Sequence, residues 1–274
     1  MSNLLQRMKT GMLETVRRHG REVAWTAPWM RLGNYLMLGL WANDGVGRKI
    51  LRHPGSQLID LFPNFTKEFM LDPGEVRFTD QRLKPWSGQA DDRLDWEQVH
   101  KFVQSVLLPQ SPLTHMHVVP DDALVVNVRR GDYYSVPEHR ATFGINIEEY
   151  VQTALDQAVQ DDGRPLTILV VSDDIKWCRE HLDGMLGAVA PTSYRPQGDP
   201  AGDLAALVHA KRLIVPNSTF SMWGGYIGDV VHPGRKVYAP WLFARGLNGG
   251  KGMAYHPDWT IIEDIPGGWD QISE

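Results

Sequence analysis

The chain has 274 residues, 42% hydrophobic and 22% charged, which is enough apolar material for a folded core and excludes disorder throughout. Its net charge of −5 argues against a generic nucleic-acid binder, because contacts to many phosphates need an excess of basic residues. Cys178 is the one cysteine, and no run suits a signal sequence or a membrane span, which predicts a cytoplasmic protein without disulfides.

The first part of the chain predicts few regular elements. Residues 3–19 have the pattern of a basic amphipathic helix, which either packs on the protein or contacts a membrane surface or a partner. A second helix is predicted at 34–42, and the region 53–88 is rich in turn residues. We expect residues 1–120 to form one half of the molecule.

From residue 121 onward, predicted strands and helices alternate. Short apolar runs typical of buried parallel strands occur at 123–128, 166–171, 212–215 and 236–238. Helices are predicted at 148–159, 177–182, 204–210 and 220–227. This alternation predicts an α/β fold with a doubly wound parallel sheet in a second half, residues 121–274. Ligands of such sheets bind beyond the carboxyl ends of the strands, where the polar motifs of this sequence fall.

Two adjacent arginines follow the strand at 123–128. A guanidinium donates hydrogen bonds in a rigid fork that suits phosphate oxygens, so Arg129 and Arg130 are candidate anion ligands. Because successive strand residues point to opposite faces, we expect one arginine to face a ligand and the other to pair with Asp132. A purely structural ion pair is the alternative.

The next two strand ends carry carboxylates and small hydroxyl residues. Asp173 and Asp174 either accept hydrogen bonds from a ribose or a base, or cap the following helix. Ser218 and Thr219 begin a predicted helix, where hydroxyls and backbone amides bind phosphate or simply form a cap. The chain has no Asp-x-Asp motif, and its His115-x-His117 pair is a weak metal candidate, so we expect no metal.

Taken in this order, the three segments resemble the motifs of the α-1,2-fucosyltransferases and, more distantly, of the α-1,6- and protein O-fucosyltransferases. The matching stretches are 127–133, 172–178 and 203–223, with a fainter Leu-Gly-Asn match within 31–35. The resemblance implies a GT-B-like arrangement of two facing Rossmann-type halves with parallel sheets. It further implies GDP-fucose as donor, inversion at the anomeric carbon, no metal or other cofactor, and a glycan acceptor of the galactoside type.

The resemblance also gives individual residues a role. Arg129 binds the β-phosphate of the donor, and Arg130 supports it through Asp132. Asp203 accepts hydrogen bonds from N1 and N2 of guanine, a pairing that uracil does not offer. The other donor-binding residues that it implies are Gly33, Asn34, Asn127, Asp173, Ser218 and Thr219.

Two departures from the family pattern leave the donor sugar open. Asn127 stands where the family has histidine, and Met30-Arg31 replace a Gly-Gly pair. GDP binding fits both changes, so a transferase that uses another GDP-sugar, such as GDP-mannose, is an alternative. A catalytically silent protein that binds a nucleotide or a glycan on the same fold is another.

A general base for the acceptor hydroxyl is not specified by the motifs. Asp132, Glu138 and His139 all lie at or just beyond the arginine motif and are candidates. The expected partners are therefore a nucleotide sugar and a glycan or glycosylated acceptor, and no nucleic acid.

Overall fold

The first half contains a small parallel sheet that the sequence patterns did not predict. The computed structural model describes residues 13, 15–85, 94–116, 119–120, 122–252 and 254–270, so most of the basic helix predicted at 3–19 lies outside the described residues. The strands are β1 (Glu22–Ala24), β2 (Lys49–Leu51), β3 (Met70–Leu71) and β4 (Gln81–Leu83), in the order β3-β2-β1-β4. Strands of two or three residues are too short to show the alternation that identifies a strand in a sequence.

Three α-helices lie within the described part of residues 22–120, and the first two of them pack on this sheet. They are α1 (Leu32–Asn43), α2 (Pro63–Phe69) and α3 (Trp96–Phe102), the last of which passes into a π-helical turn, Val103–Leu107. Short 3-10 helices occur at Gln57–Leu61, Pro73–Glu75 and Pro112–His115. The helix predicted at 34–42 is confirmed as α1. The region 53–88, predicted as turns, instead holds α2, β3 and β4.

The second half contains a six-stranded parallel sheet with the strand order of a Rossmann fold. Its strands are β5 (Ala123–Val128), β6 (Thr167–Ser172), β7 (Thr192–Tyr194), β8 (Arg212–Ile214), β9 (Lys236–Pro240) and β10 (Thr260–Ile262). Their order, β10-β9-β8-β5-β6-β7, is the doubly wound order 3-2-1-4-5-6. The predicted α/β class and the four predicted strands are therefore confirmed, whereas β7 and β10 were missed.

The helices of this half occupy the crossovers between the strands. They are α4 (Gly131–Ser135), α5 (Pro137–Phe143), α6 (Ile147–Asp162), α7 (Ile175–Gly187), α8 (Pro200–His209) and α9 (Thr219–Val231). Strand order reverses between β5 and β8, which pair directly. In a doubly wound sheet this reversal opens a crevice at the carboxyl ends of the two strands, just beyond Val128 and Ile214. No helix in the described residues is long and apolar enough to cross a membrane.

One hydrophobic core extends through both halves. On β5, Val125 packs into this large core, whereas Leu124 and Val126 pack into a second core on the other face of the sheet. The large core also holds Leu36 of α1 and Trp223 of α9, both fully buried. Each sheet lies on one side of the boundary predicted at residues 120 and 121, but the helices that separate the sheets are packed against each other.

A buried arginine fixes α8 and α9 within this core. Arg235 pairs with Asp229 at 2.8 Å, and Asp229 also accepts a hydrogen bond from Nε1 of Trp259 at 2.8 Å. The same guanidinium donates to the carbonyls of Leu207, Val208, Ala210, Gly224 and Gly225. Burial lowers the pKa of Arg235, although Asp229 opposes that effect. The guanidinium thus satisfies carbonyls at the end of α8 and inside α9.

We expect replacement of this arginine to destabilise the fold strongly. Arg235→Met should lower the free energy of unfolding by about 3–5 kcal/mol, because it leaves the Asp229 carboxylate buried without its partner. Arg52→Met is the matched control: its ion pair with Asp60, at 2.7 Å, is partly exposed to solvent, so the loss should be about 1 kcal/mol or less. Urea denaturation followed by circular dichroism measures both. Equal losses in the two variants would contradict the role given to Arg235.

Candidate active site

The first turns of α1 and α9 meet at the crevice. Gly33 approaches α9 so closely that a Cβ atom there would lie 2.6 Å from the carbonyl carbon of Thr219 and 2.7 Å from the nitrogen of Phe220. Thr219 Oγ1 also donates to Asn34 Oδ1 at 3.1 Å. Two helix N-termini, each carrying a partial positive charge and unpaired backbone N–H groups, are thus adjacent. Such a place suits an anionic ligand.

Neither helix satisfies its first amides with a side-chain cap. Ser218 is the N-cap residue of α9, is buried, and makes no side-chain capping hydrogen bond. Arg31 is the N-cap residue of α1 and likewise makes none. The predicted donor-binding residues Gly33, Asn34, Ser218 and Thr219 are therefore brought together from the two halves of the chain.

The guanidinium of Arg129 lies between two carboxylates at the end of β5. Its Nη1 is 2.8 Å from Asp173 Oδ2, and its Nη2 is 2.5 Å from Asp132 Oδ1. The guanidinium also lies over the ring of Tyr133, 5.2 Å from the centroid. A guanidinium carries more N–H donors than two ion pairs use, and the side chain is 32% exposed. Arg129 is therefore oriented by the protein and still accessible to a ligand.

The predicted pairing of Arg130 with Asp132 is wrong. Arg130 instead places its Nε 3.3 Å from Asp174 Oδ2, and its guanidinium lies 4.5 Å from the ring centroids of both Tyr134 and Trp177. The chain leaves the strand at Arg130, with φ −128° and ψ −63°, so strand alternation no longer decides which carboxylate each arginine meets. Arg130 therefore braces α4 against α7 rather than supporting Arg129 through Asp132.

Of the two adjacent aspartates after β6, one caps the following helix and the other contacts the arginine motif. Asp173 accepts the backbone N–H of Arg130 at 2.8 Å and pairs with Arg129, so it faces the site. Asp174 caps α7 by accepting the backbone N–H of Trp177 at 3.2 Å. A Cβ atom at Gly131 would lie 2.4 Å from Asp173 Oδ2, so the space beside this carboxylate requires a glycine.

Asp203 lies in the first turn of α8 and is held by an arginine that lies outside the three sequence motifs. Arg195 donates from Nε to Asp203 Oδ1 at 3.0 Å and from Nη2 to Asp199 Oδ2 at 2.8 Å. Burial raises the pKa of Asp203, Arg195 opposes this shift, and the negative charges of Asp199 and Asp173 add to it. The carboxylate thus lies within electrostatic range of Asp173 and is fixed in orientation.

The amide of Asn127 is bound within the protein. It is buried, its Nδ2 donates to the carbonyl of Val171 at 2.9 Å, and its Oδ1 accepts from Ser221 Oγ at 2.5 Å. Asn127 thereby links α9 to β6, and its contact with the donor stays a prediction.

The candidate bases Glu138 and His139 lie just beyond the arginine motif and differ in their contacts. Glu138 lies on the exposed side of α5, whereas His139 Nδ1 is 4.0 Å from Asp132 Oδ2. Tyr133 stacks on Phe143 with ring centroids 4.7 Å apart, and burial raises the pKa of Tyr133 to about 12. The Tyr133 hydroxyl therefore stays protonated at neutral pH. Among the described residues, no group of three His, Cys, Asp or Glu side chains is arranged to hold a metal.

A family profile and individual relatives of known activity point to the same protein family. Residues 110–263, more than half of the chain, match the family profile described as Glycosyl transferase family 11. The mouse galactoside 2-alpha-L-fucosyltransferase Sec1 is 33% identical over 154 residues, which cover 52% of this chain and 39% of that protein. The gorilla galactoside alpha-(1,2)-fucosyltransferase 2 is 28% identical over 177 residues, 61% of this chain and 46% of that protein. The chain thus spans less than half the length of these two relatives.

Among solved structures, POFUT1 in complex with GDP aligns with a TM-score of 0.36 and 17% identity, over 85% of this chain and 78% of that one. The family profile covers Arg129, Asp132, Asp173, Asp203 and the start of α9. It does not reach Gly33 and Asn34, whose place at the site rests on the contacts with α9.

The contact at Gly33 can be tested against a second helical glycine. Gly33→Ala should lower the free energy of unfolding by about 1–3 kcal/mol, because the new methyl group meets backbone atoms that have no room to move. A Cβ atom at Gly184, inside α7, meets nothing within 4 Å. Gly184→Ala should therefore be neutral or stabilise by up to about 1 kcal/mol. Denaturant unfolding of both variants makes the measurement, and a neutral Gly33→Ala would contradict the close approach.

Proposed function

The chain belongs to glycosyl transferase family 11, and on that premise we propose that it transfers fucose from GDP-fucose to a hydroxyl group of a glycan. We further propose that the transfer inverts the anomeric carbon and needs no metal ion. The observation that carries the proposal is the placement of Arg129 and the start of α9 at the ends of the paired strands β5 and β8, where Tyr133 donates to the carbonyl of Asn217 and α1 contacts Thr219. The galactoside fucosyltransferases among the relatives suggest a galactoside acceptor.

The diphosphate of the donor is assigned to these positive groups. The free amides of two helix N-termini and the exposed part of the Arg129 fork complement phosphate oxygens. Negative charge grows on the β-phosphate as the bond to the sugar breaks, so groups fixed in advance stabilise the transition state more than the ground state. They supply the positive charge that a divalent cation provides in other transferases.

Guanine is assigned to Asp203. A carboxylate accepts two parallel hydrogen bonds, which N1–H and the N2 amino group of guanine donate and uracil cannot. Arg195 already donates to Oδ1 of this carboxylate at 3.0 Å, but each oxygen has a second lone pair. Arg195 would thus orient the Asp203 carboxylate toward guanine and leave it lone pairs that can accept hydrogen bonds from the base.

A different GDP-sugar is the second candidate because of Arg31. This exposed cation begins α1, next to the proposed diphosphate site, where the related motif has glycine. A side chain of this size at the site would alter the pocket for the donor sugar, so GDP-mannose belongs in the donor panel with GDP-fucose. Binding of a GDP-sugar without turnover would instead favour a catalytically silent binding protein.

The first test is calorimetric titration with GDP and UDP, with and without EDTA. We expect GDP to bind with the same affinity in EDTA and UDP to bind at least about tenfold more weakly, since uracil lacks the paired donors. Asp203→Asn should weaken GDP binding by about 10- to 100-fold, the value of hydrogen bonds to a charged acceptor, and should leave UDP unaffected. Equal affinity for the two nucleotides would overturn the assignment of Asp203.

The second test concerns Arg129. Arg129→Ala should lower kcat by about 10²- to 10³-fold through loss of charge stabilisation at the leaving phosphate. The thermal unfolding midpoint should change little, because the side chain is 32% exposed. Arg164→Ala is the control, since Arg164 precedes the start of β6, at the opposite end of that strand from Asp173. A folded Arg129→Ala variant with normal turnover would contradict the role of Arg129.

A further inference from the structure

Three charged side chains form a row that begins in the site and ends at an accessible imidazole. Asp173 pairs with Arg129 at 2.8 Å, Arg129 with Asp132 at 2.5 Å, and the second oxygen of Asp132 lies 4.0 Å from Nδ1 of His139. The row runs from the end of β6 through the end of β5 to α4 and α5. His139 is therefore connected electrostatically to the arginine that we assign to the donor phosphate.

The imidazole ring is oriented from two directions. Asp132 faces Nδ1, and the ring of Phe143 meets the imidazole edge to face at 70°, with centroids 6.4 Å apart. A carboxylate beside Nδ1 favours the tautomer with its proton there, which leaves Nε2 as the basic nitrogen. The side chain is 47% exposed, so Nε2 can be reached by a substrate.

We propose that His139 is the catalytic base of the transfer and that Asp132 is its positioning residue. This inference rests on the proposed function. Nε2 of His139 takes the proton of the acceptor hydroxyl while that oxygen bonds to the anomeric carbon of the donor sugar. The bond from this carbon to the β-phosphate oxygen breaks, and its electron pair leaves with GDP. The new positive charge on His139 lies beside Asp132, and the new negative charge on GDP lies beside Arg129.

The distance of 4.0 Å between His139 and Asp132 is longer than a hydrogen bond. Such contacts are often long in the absence of substrate and tighten in the complex. The other two candidates are placed less well. Glu138 is as exposed as His139, but no contact among the described residues orients its carboxylate, and Asp132 already has one oxygen on Arg129 and the other toward the imidazole.

The charges around the imidazole fit this role. Asp132 on α4 is its nearest charged partner, and Arg129 lies behind that carboxylate. Tyr133 reaches the same region through its stack on Phe143 and stays neutral because burial raises its pKa to about 12. Glu138 and Arg140 flank His139 on α5 itself. The negative charge of Asp132 therefore stabilises the protonated imidazole.

The experiment measures GDP release from GDP-fucose with lactose as acceptor, which registers transfer to the sugar and to water alike. His139→Gln should lower kcat by about 10²- to 10⁴-fold, the usual contribution of a general base. The KM for GDP-fucose and the calorimetric affinity for GDP should not change. The fall of kcat at acid pH that protonation of a base causes should disappear. Imidazole added to His139→Ala should restore part of the rate.

The control is His115→Gln, because His115 is exposed on a 3-10 helix outside the site and should leave every parameter unchanged. A His139→Gln variant that keeps kcat within about twofold and keeps the fall of kcat at acid pH would overturn the base assignment alone. A wild-type protein that neither binds GDP nor releases it from GDP-fucose would instead overturn the proposed function.

Discussion

The contact between the beginnings of α1 and α9 is the constraint on which the site depends. It brings together segments almost two hundred residues apart in the chain, Gly33-Asn34 and Thr219-Phe220, each at the start of a helix. The Ser218 hydroxyl could cap the first amides of α9 but makes no such bond, and Arg31, a donor only, cannot cap those of α1. Since free helix N-termini are costly when buried and favourable beside an anion, their pairing is best explained by a ligand that completes them.

Charge is arranged locally at the site in a protein that is acidic overall. With a net charge of −5, the chain as a whole does not attract an anion such as a diphosphate. Its main cation, Arg129, is itself held between Asp132 and Asp173. The two ion pairs orient the Arg129 guanidinium, but they also neutralise part of its charge. The partial positive charges of the two helix N-termini compensate for that loss. Selectivity for an anionic ligand then depends more on the geometry of its hydrogen bonds than on long-range charge attraction.

Much of the second half could be predicted because its strands are long or apolar on both faces, as β5 and β6 are. The first sheet could not be predicted, because strands such as Met70–Leu71 have too few residues to show an alternation of apolar and polar side chains. At the site, the motifs predicted the residues but not their partners. The pairing of Asp132 with Arg129 depends on the backbone turn at Arg130, and the hold of Arg195 on Asp203 depends on a loop.

The core shared by the two halves has a consequence for how the molecule moves. Leu36 and Trp223 belong to one continuous apolar cluster. Pulling the two halves apart would therefore expose apolar surface that is now buried. A hinge motion that opens and shuts the crevice is therefore too costly to serve as a gate. Because the two sheets share this core, we expect them to unfold in a single cooperative transition.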